Sequence, residues 1–293
     1  MPPYGKTAMG TYGDVLHIAR DLDRTDQWRH VLDECQGDHH CIFLLRGDSS
    51  QALGLFVDRI RHFLAAKGPK SRVFEVSLRH GDEDAECAAD WLRRLADGLA
   101  PGKQGRAAQH LAQAASELRP FLILGQQPLH QERLSVEARK GLRDFLEDGF
   151  PQCLVEAAPA QPVALLVAVE DEVGDTLVGE IEKSGERAAS RFNRGASKRP
   201  AVSAEPRGFW SRWFGARLVP QIQSAAPRLL HFVPLKAVGF PSWEEVELYL
   251  KRRHPPPAAE VVDRIRQAHR AIEDSGSSFL ELSERLHRWV GPI

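Results

Sequence analysis

No run of about 18 apolar residues occurs in this 293-residue chain, so a membrane-spanning helix is not expected. The N-terminus also lacks an apolar stretch of signal-peptide length, and the expected location is the cytoplasm. Net charge is scarce as well: 39 Lys and Arg against 40 Asp and Glu leave a formal charge of −1. Without a global field, nucleic acid is not an expected partner. The four cysteines, Cys35, Cys41, Cys87 and Cys153, form no C-x-x-C pair, which disfavours a zinc framework and fits reduced, buried thiols.

A more telling absence is local. After the apolar run Cys41 to Leu45 the chain reads Gly47-Asp48-Ser49-Ser50-Gln51-Ala52-Leu53-Gly54 and then takes up a helical pattern. Set against the phosphate-loop pattern G-x-x-x-x-G-K-[ST], Ala52 stands for the second glycine, Leu53 for the lysine and Gly54 for the hydroxyl residue. The point charge for the β and γ phosphates and the magnesium ligand are both missing. Backbone amides and a helix N-terminus remain, and these alone define a weak anion site. No catalytic residue and no bound cofactor are therefore expected. Two readings of the loop stay open: weak nucleotide binding through Gly47, Ser49 and Ser50, or a tight strand-to-helix turn capped by one of the serines. Further along, Phe121 to Leu124 is followed by Gly125-Gln126-Gln127, amides where a carboxylate would organise magnesium and water. Glu170-Asp171, at the end of Leu165 to Val169, is the alternative acid and equally a solvated strand end.

What is present is enough apolar residue, 42%, for a sizeable core. Short apolar runs alternate with helical stretches, the pattern of a mostly parallel sheet with helices on both faces. The expected strands are Cys41 to Arg46, Arg72 to Leu78, Pro120 to Gly125, Pro162 to Glu170 and Arg228 to Leu235. Gln51 to Ala66, Ala85 to Leu99 and Leu134 to Leu146 carry apolar stripes at helical spacing. The chain divides into an α/β domain over 1–253 and a helical C-terminal appendage over 254–293.

Residues 185–217 depart from this rhythm. Arg187, Arg191, Arg194, Lys198, Arg199, Arg207 and Arg212 stand among Ser, Ala, Gly and Pro, and a flexible insertion is expected. Inside it, Phe209, Trp210, Arg212, Trp213 and Phe214 lie between Gly208 and Gly215, a concentration of aromatics that is costly to expose. These residues are candidates for docking a protein partner, with a short membrane-touching helix or a fold-back onto the domain as alternatives.

The lead-in Leu22-Asp23-Arg24-Thr25-Asp26-Gln27-Trp28, the degraded loop at Gly47, the strand Arg119 to Leu124, and Pro234-Leu235 ahead of Trp243 together resemble the inactive STAND domains. These are degenerate relatives of the AAA-like P-loop ATPases of bacterial conflict and signalling systems. The resemblance implies a five-stranded P-loop NTPase-like α/β fold that works in switches or adaptors. Asp23 and Gln27, four residues apart on one helical face, would contact an adenine edge or tie the N-terminal helix to the domain. With Glu170, they complete the set expected to touch a nucleotide if binding survives.

His39-His40-Cys41 has metal-ligand chemistry, but adjacent residues on an extended segment point to opposite faces, and no metal is expected. His130 and His231 have no Ser or Asp companion at useful spacing and read as ordinary loop histidines. The expected function is that of a non-catalytic adaptor or sensor recognising effector or sensor proteins in a bacterial defence or signalling complex. A slow nucleotide-binding switch and a membrane-proximal docking module are the alternatives.

Overall fold

Strands form where the apolar runs are continuous rather than alternating, because both of their faces are covered. The computed structural model describes residues 25–47, 53–66, 71–76, 79–80, 83–84, 86–170, 176–196, 228–252, 255–275 and 279–290. Its strands are β1 (His40–Gly47), β2 (Ser71–Val76), β3 (Arg79–His80), β4 (Glu83–Asp84), β5 (Arg119–Leu129), β6 (Ala164–Glu170) and β7 (Leu230–Pro234). Five of them make the expected parallel sheet, whose strand order is β2-β5-β6-β1-β7, while β3 and β4 pair antiparallel by themselves.

The helices are α1 (Thr25–Gln36), α2 (Leu53–Ala66), α3 (Ala88–Leu99), α4 (Ala107–Ala114), α5 (Val136–Asp144), α6 (Phe150–Ala157), α7 (Leu177–Ala196), α8 (Trp243–Lys251), α9 (Ala259–Ser275) and α10 (Phe279–Val290). A π-helical turn, Phe145–Gly149, joins α5 to α6. One sheet face sends Cys41, Phe43 and Leu45 against Val31 of α1 and Phe56 and Ile60 of α2. The opposite face sends Ile42, Leu44, Leu165 and Val167 against Trp91, Leu142, Phe145, Phe150 and Ile181. A further core unites Val246 and Leu250 of α8 with Ile265 and Ile272 of α9 and Leu282 and Leu286 of α10. Helix α8, counted with the first domain by a boundary at 253, thus shares its apolar face with the C-terminal helices. Among the described residues, no helix is long and apolar enough to cross a membrane.

The structure corrects three expectations. Residues 185–196 are not part of a flexible insertion: they continue α7, burying Gly185, Ala188, Phe192 and Ala196 on one side. Small residues hide this face from a hydrophobicity count, and Arg187 and Arg191 on the outer side pair with Glu147 and Asp148 of the π turn. Residues 197–217, with Phe209, Trp210, Arg212, Trp213 and Phe214, lie outside the described residues. Strand β5 runs on past Gly125 to Leu129, through an irregular stretch in its pairing with β6 and a left-handed Gly125 at φ 86°. Cys87 is exposed, unlike the buried Cys41 and Cys153, because it caps α3, where its thiol donates to Asp90 at 3.1 Å.

At the amino-terminal end of the sheet, Arg228 donates to the Asp38 carboxylate (2.7 Å) and to the carbonyls of Pro159 and Ala160 (2.8 Å each), clasping the lead-ins to β1, β6 and β7. Beside it, buried His40 accepts the Val163 N–H at 3.0 Å through Nδ1. Burial, and then the nearby Arg228 charge, push the imidazole down from 6.5 to about 4. His40 therefore folds neutral. Between pH 6.5 and about 4 the unfolded chain binds a proton here that the folded chain does not, so stability is lost as the pH is lowered through that window, by on the order of 3 kcal/mol when complete. Urea melts at a series of pH values are expected to show this loss, and His40→Asn, which keeps an acceptor for Val163, is expected to flatten it.

Candidate functional site

Strand β1 passes to α2 on one face of the sheet, whereas its neighbour β6 passes to α7 on the other. Adjacent strands whose connections part in this way open a crevice at their carboxyl ends, where ligands of open α/β sheets bind. Gly47 and Glu170 are Cα partners at that point. Two candidates more than a hundred positions apart in sequence are thereby brought side by side. Gln27 lies in the first turn of α1; Asp23, Ser49 and Ser50 lie outside the described residues.

The carboxyl end of β1 is filled by the chain's own groups. Val238 bridges Gly47, its N–H donating to the Arg46 carbonyl at 2.7 Å. A Cβ on residue 47 would stand 2.9 Å from the Val238 carbonyl oxygen and 3.0 Å from its Cβ, so only glycine fits. The same point is 3.5 Å from Cδ1 of Leu53, which is 1% exposed. The position that a phosphate-loop lysine would hold is a core position in the apolar layer under α2.

The polar groups around the crevice are also engaged. His130 Nε2 stands 3.7 Å from Glu170 Oε2, and Arg46 pairs with Glu182 of α7 at 3.4 Å. Gln131 Oε1 accepts the N–H groups of Thr176 (2.8 Å) and Leu177 (3.0 Å), closing the amino end of α7. Those N–H groups are the ones an anion would seek at a helix N-terminus, and a side-chain amide already takes them. His130 and Glu170 stand at ion-pair distance, but no lysine or hydroxyl residue at 53 or 54 stands ready for a phosphate.

Other features lie away from this crevice. A cavity of about 560 Å³ opens between α3, α4 and α6, lined among others by Arg93, Lys103, Arg106 and Cys153, whose thiol burial pushes up to about 12. A groove of about 620 Å³ follows β7, lined by His30, Glu34, Glu186 and His231. At its end Glu34 Oε2 meets His39 Nε2 at 2.9 Å and His231 Nδ1 at 3.5 Å. Sequence reading missed these pairings because His231 reaches His39 only through the pairing of β7 with β1. His40, as expected, points away from its neighbour; His39 and Cys41, two apart, share a face with Glu34.

No protein-family model and no curated protein matches the chain. Among solved structures it is similar to a chain in the structure of Drosophila ORC bound to poly(dA/dT) DNA and Cdc6, with 11% identity and a TM-score of 0.40. The alignment covers 83% of this chain and 34% of that one, so this chain spans about a third of its length.

The buried setting of residue 53 fixes the outcome of repairing the loop. Leu53→Lys is expected to destabilise the protein by about 3 kcal/mol or more, since it sets an ammonium among Phe43, Val57 and Val238. Urea denaturation measures the cost, and a midpoint equal to that of the unaltered protein would show that position 53 is not a core position.

Proposed function

We propose that the chain is a non-catalytic adaptor whose α/β fold presents surfaces to a partner protein. The observation that supports this most is the closed carboxyl end of β1: Gly47 packs on Val238, and a buried leucine occupies the lysine position. A phosphoryl-transfer site needs the charge, the metal ligand and the open helix N-terminus together, and catalysis there is almost wholly positioning and electrostatics. Here the charge is replaced by apolar packing and the amino end of α7 is capped by Gln131. In the setting that the inactive STAND resemblance suggests, the partner is an effector or sensor protein of a bacterial defence or signalling complex. A nucleotide switch is the second reading, favoured by the adjacency of Gly47 and Glu170 at the sheet's switch point.

Calorimetric titration with Mg-ATP, Mg-ADP and Mg-GTP separates the two. No heat of binding up to millimolar nucleotide, and no phosphate release above the spontaneous rate, are expected for the adaptor. Micromolar binding that Gly47→Trp abolishes would overturn it in favour of the switch.

A further inference from the structure

We propose that Glu34, His39, Cys41 and His231 form a binding site for a zinc-type divalent ion at the amino-terminal end of strand β1. The strand pairing builds it. Cys41 and His231 are Cα partners on adjacent parallel strands, so their side chains leave the sheet on the same face, and His39, two residues before Cys41, joins them. Helix α1 crosses this face and delivers Glu34 from its last turns, the Cys41 thiol approaching the Glu34 carbonyl at 4.0 Å.

The donor atoms lie close together. One ligand atom each from Glu34, His39 and Cys41 lies within 4.8 Å of the other two. Glu34 Oε2 is 2.9 Å from His39 Nε2 and 3.5 Å from His231 Nδ1. Bonds of about 2.0 to 2.3 Å in a tetrahedral zinc site place neighbouring donors about 3.3 to 3.6 Å apart; Glu34 and His231 stand at that spacing, His39 lies slightly closer to Glu34, and Cys41, within 4.8 Å of Glu34 and His39, has to turn inward to join them. The two imidazoles stack with ring centroids 3.8 Å apart and planes 22° from parallel, both beside one carboxylate.

The chemistry of the set selects the ion. Two imidazole nitrogens, a carboxylate and a thiol suit zinc or cobalt and not magnesium or calcium, which take oxygen. The Glu34 carboxylate already lies between the two imidazoles, 2.9 Å from His39 Nε2 and 3.5 Å from His231 Nδ1. A thiol that ligates zinc does so as thiolate, so binding releases its proton to solvent. The side chain of His231 is 41% exposed and that of His39 is 18%, which leaves the ion a way in from the groove beside β7.

The test loads the full-length chain with Zn²⁺, removes free metal by desalting and measures the zinc retained. Stoichiometric zinc and a raised melting temperature are expected for the unaltered protein and for His130→Ala at the opposite end of the sheet. Both are expected to be lost in His39→Ala and in His231→Ala. With Co²⁺, tetrahedral visible bands and a thiolate-to-cobalt band in the near ultraviolet are expected, the latter lost in Cys41→Ser. Failure of the unaltered protein to retain zinc would overturn the site, whatever the variants do. Full zinc retention by a histidine variant with an unchanged circular dichroism spectrum, or a cobalt spectrum that Cys41→Ser leaves unaltered, would also overturn the assignment.

Discussion

Strand β1 is the constraint from which the rest of the molecule hangs. Its residues Ile42 to Leu45 are wholly buried, paired on one edge by β6 and on the other by β7 and covered on both faces by helices. Each of its four main directions is therefore spoken for by apolar or backbone contact, and polar chemistry is pushed to its two ends. At the carboxyl end stand Gly47, Glu170 and His130; at the amino end stand Asp38, His39 and His40. Deleting one buried large side chain from such a strand typically costs 2–5 kcal/mol, and here it would loosen both sites together.

The two ends are finished differently. The carboxyl end is sealed by packing and capping, since Val238 leaves no room for a side chain at 47 and Gln131 takes the first N–H groups of α7. The amino end is held by polar contacts among separate segments, with Arg228 joining three of them and Glu34 drawing two stacked histidines together. Val238 lies shortly before α8, whose apolar face belongs to the C-terminal helical core. The carbonyl of Pro241 in that connection is held by buried His269 of α9 at 2.7 Å, while Arg266 stacks over Trp243. The connection that closes the end of β1 is thus also the one that anchors the C-terminal helices.

Much of the fold was legible because doubly covered strands must be continuously apolar, and Cys41 to Leu45 or Leu165 to Val169 cannot be read otherwise. The loss at position 53 was legible too, as a missing lysine, although only the packing shows that leucine there serves the core. The second half of α7 was not legible. Gly185, Ala188 and Ala196 are buried by close approach, Gly185 against the ring of Phe232, and bury too little apolar area for a hydropathy pattern to register. Helix α4, short and rich in alanine, escaped for a similar reason. The grouping of Glu34, His39 and His231 depends on strand register, which a single sequence does not reveal.

The partnership of β1 with β7 also has a consequence for how the protein is made. Asp38 and Arg228, which flank these strands and pair at 2.7 Å, are 190 positions apart. On a ribosome, β1 emerges before the sheet's other strands, and the edge that β7 covers stays unpaired until the other three have been synthesised and β7 follows. During that interval the segment Cys41 to Leu45, apolar on both faces and with a free row of backbone donors and acceptors, is able to pair with another nascent chain. Non-local closure of this kind is slow. The sheet is complete only when the strand made last pairs beside the strand made first.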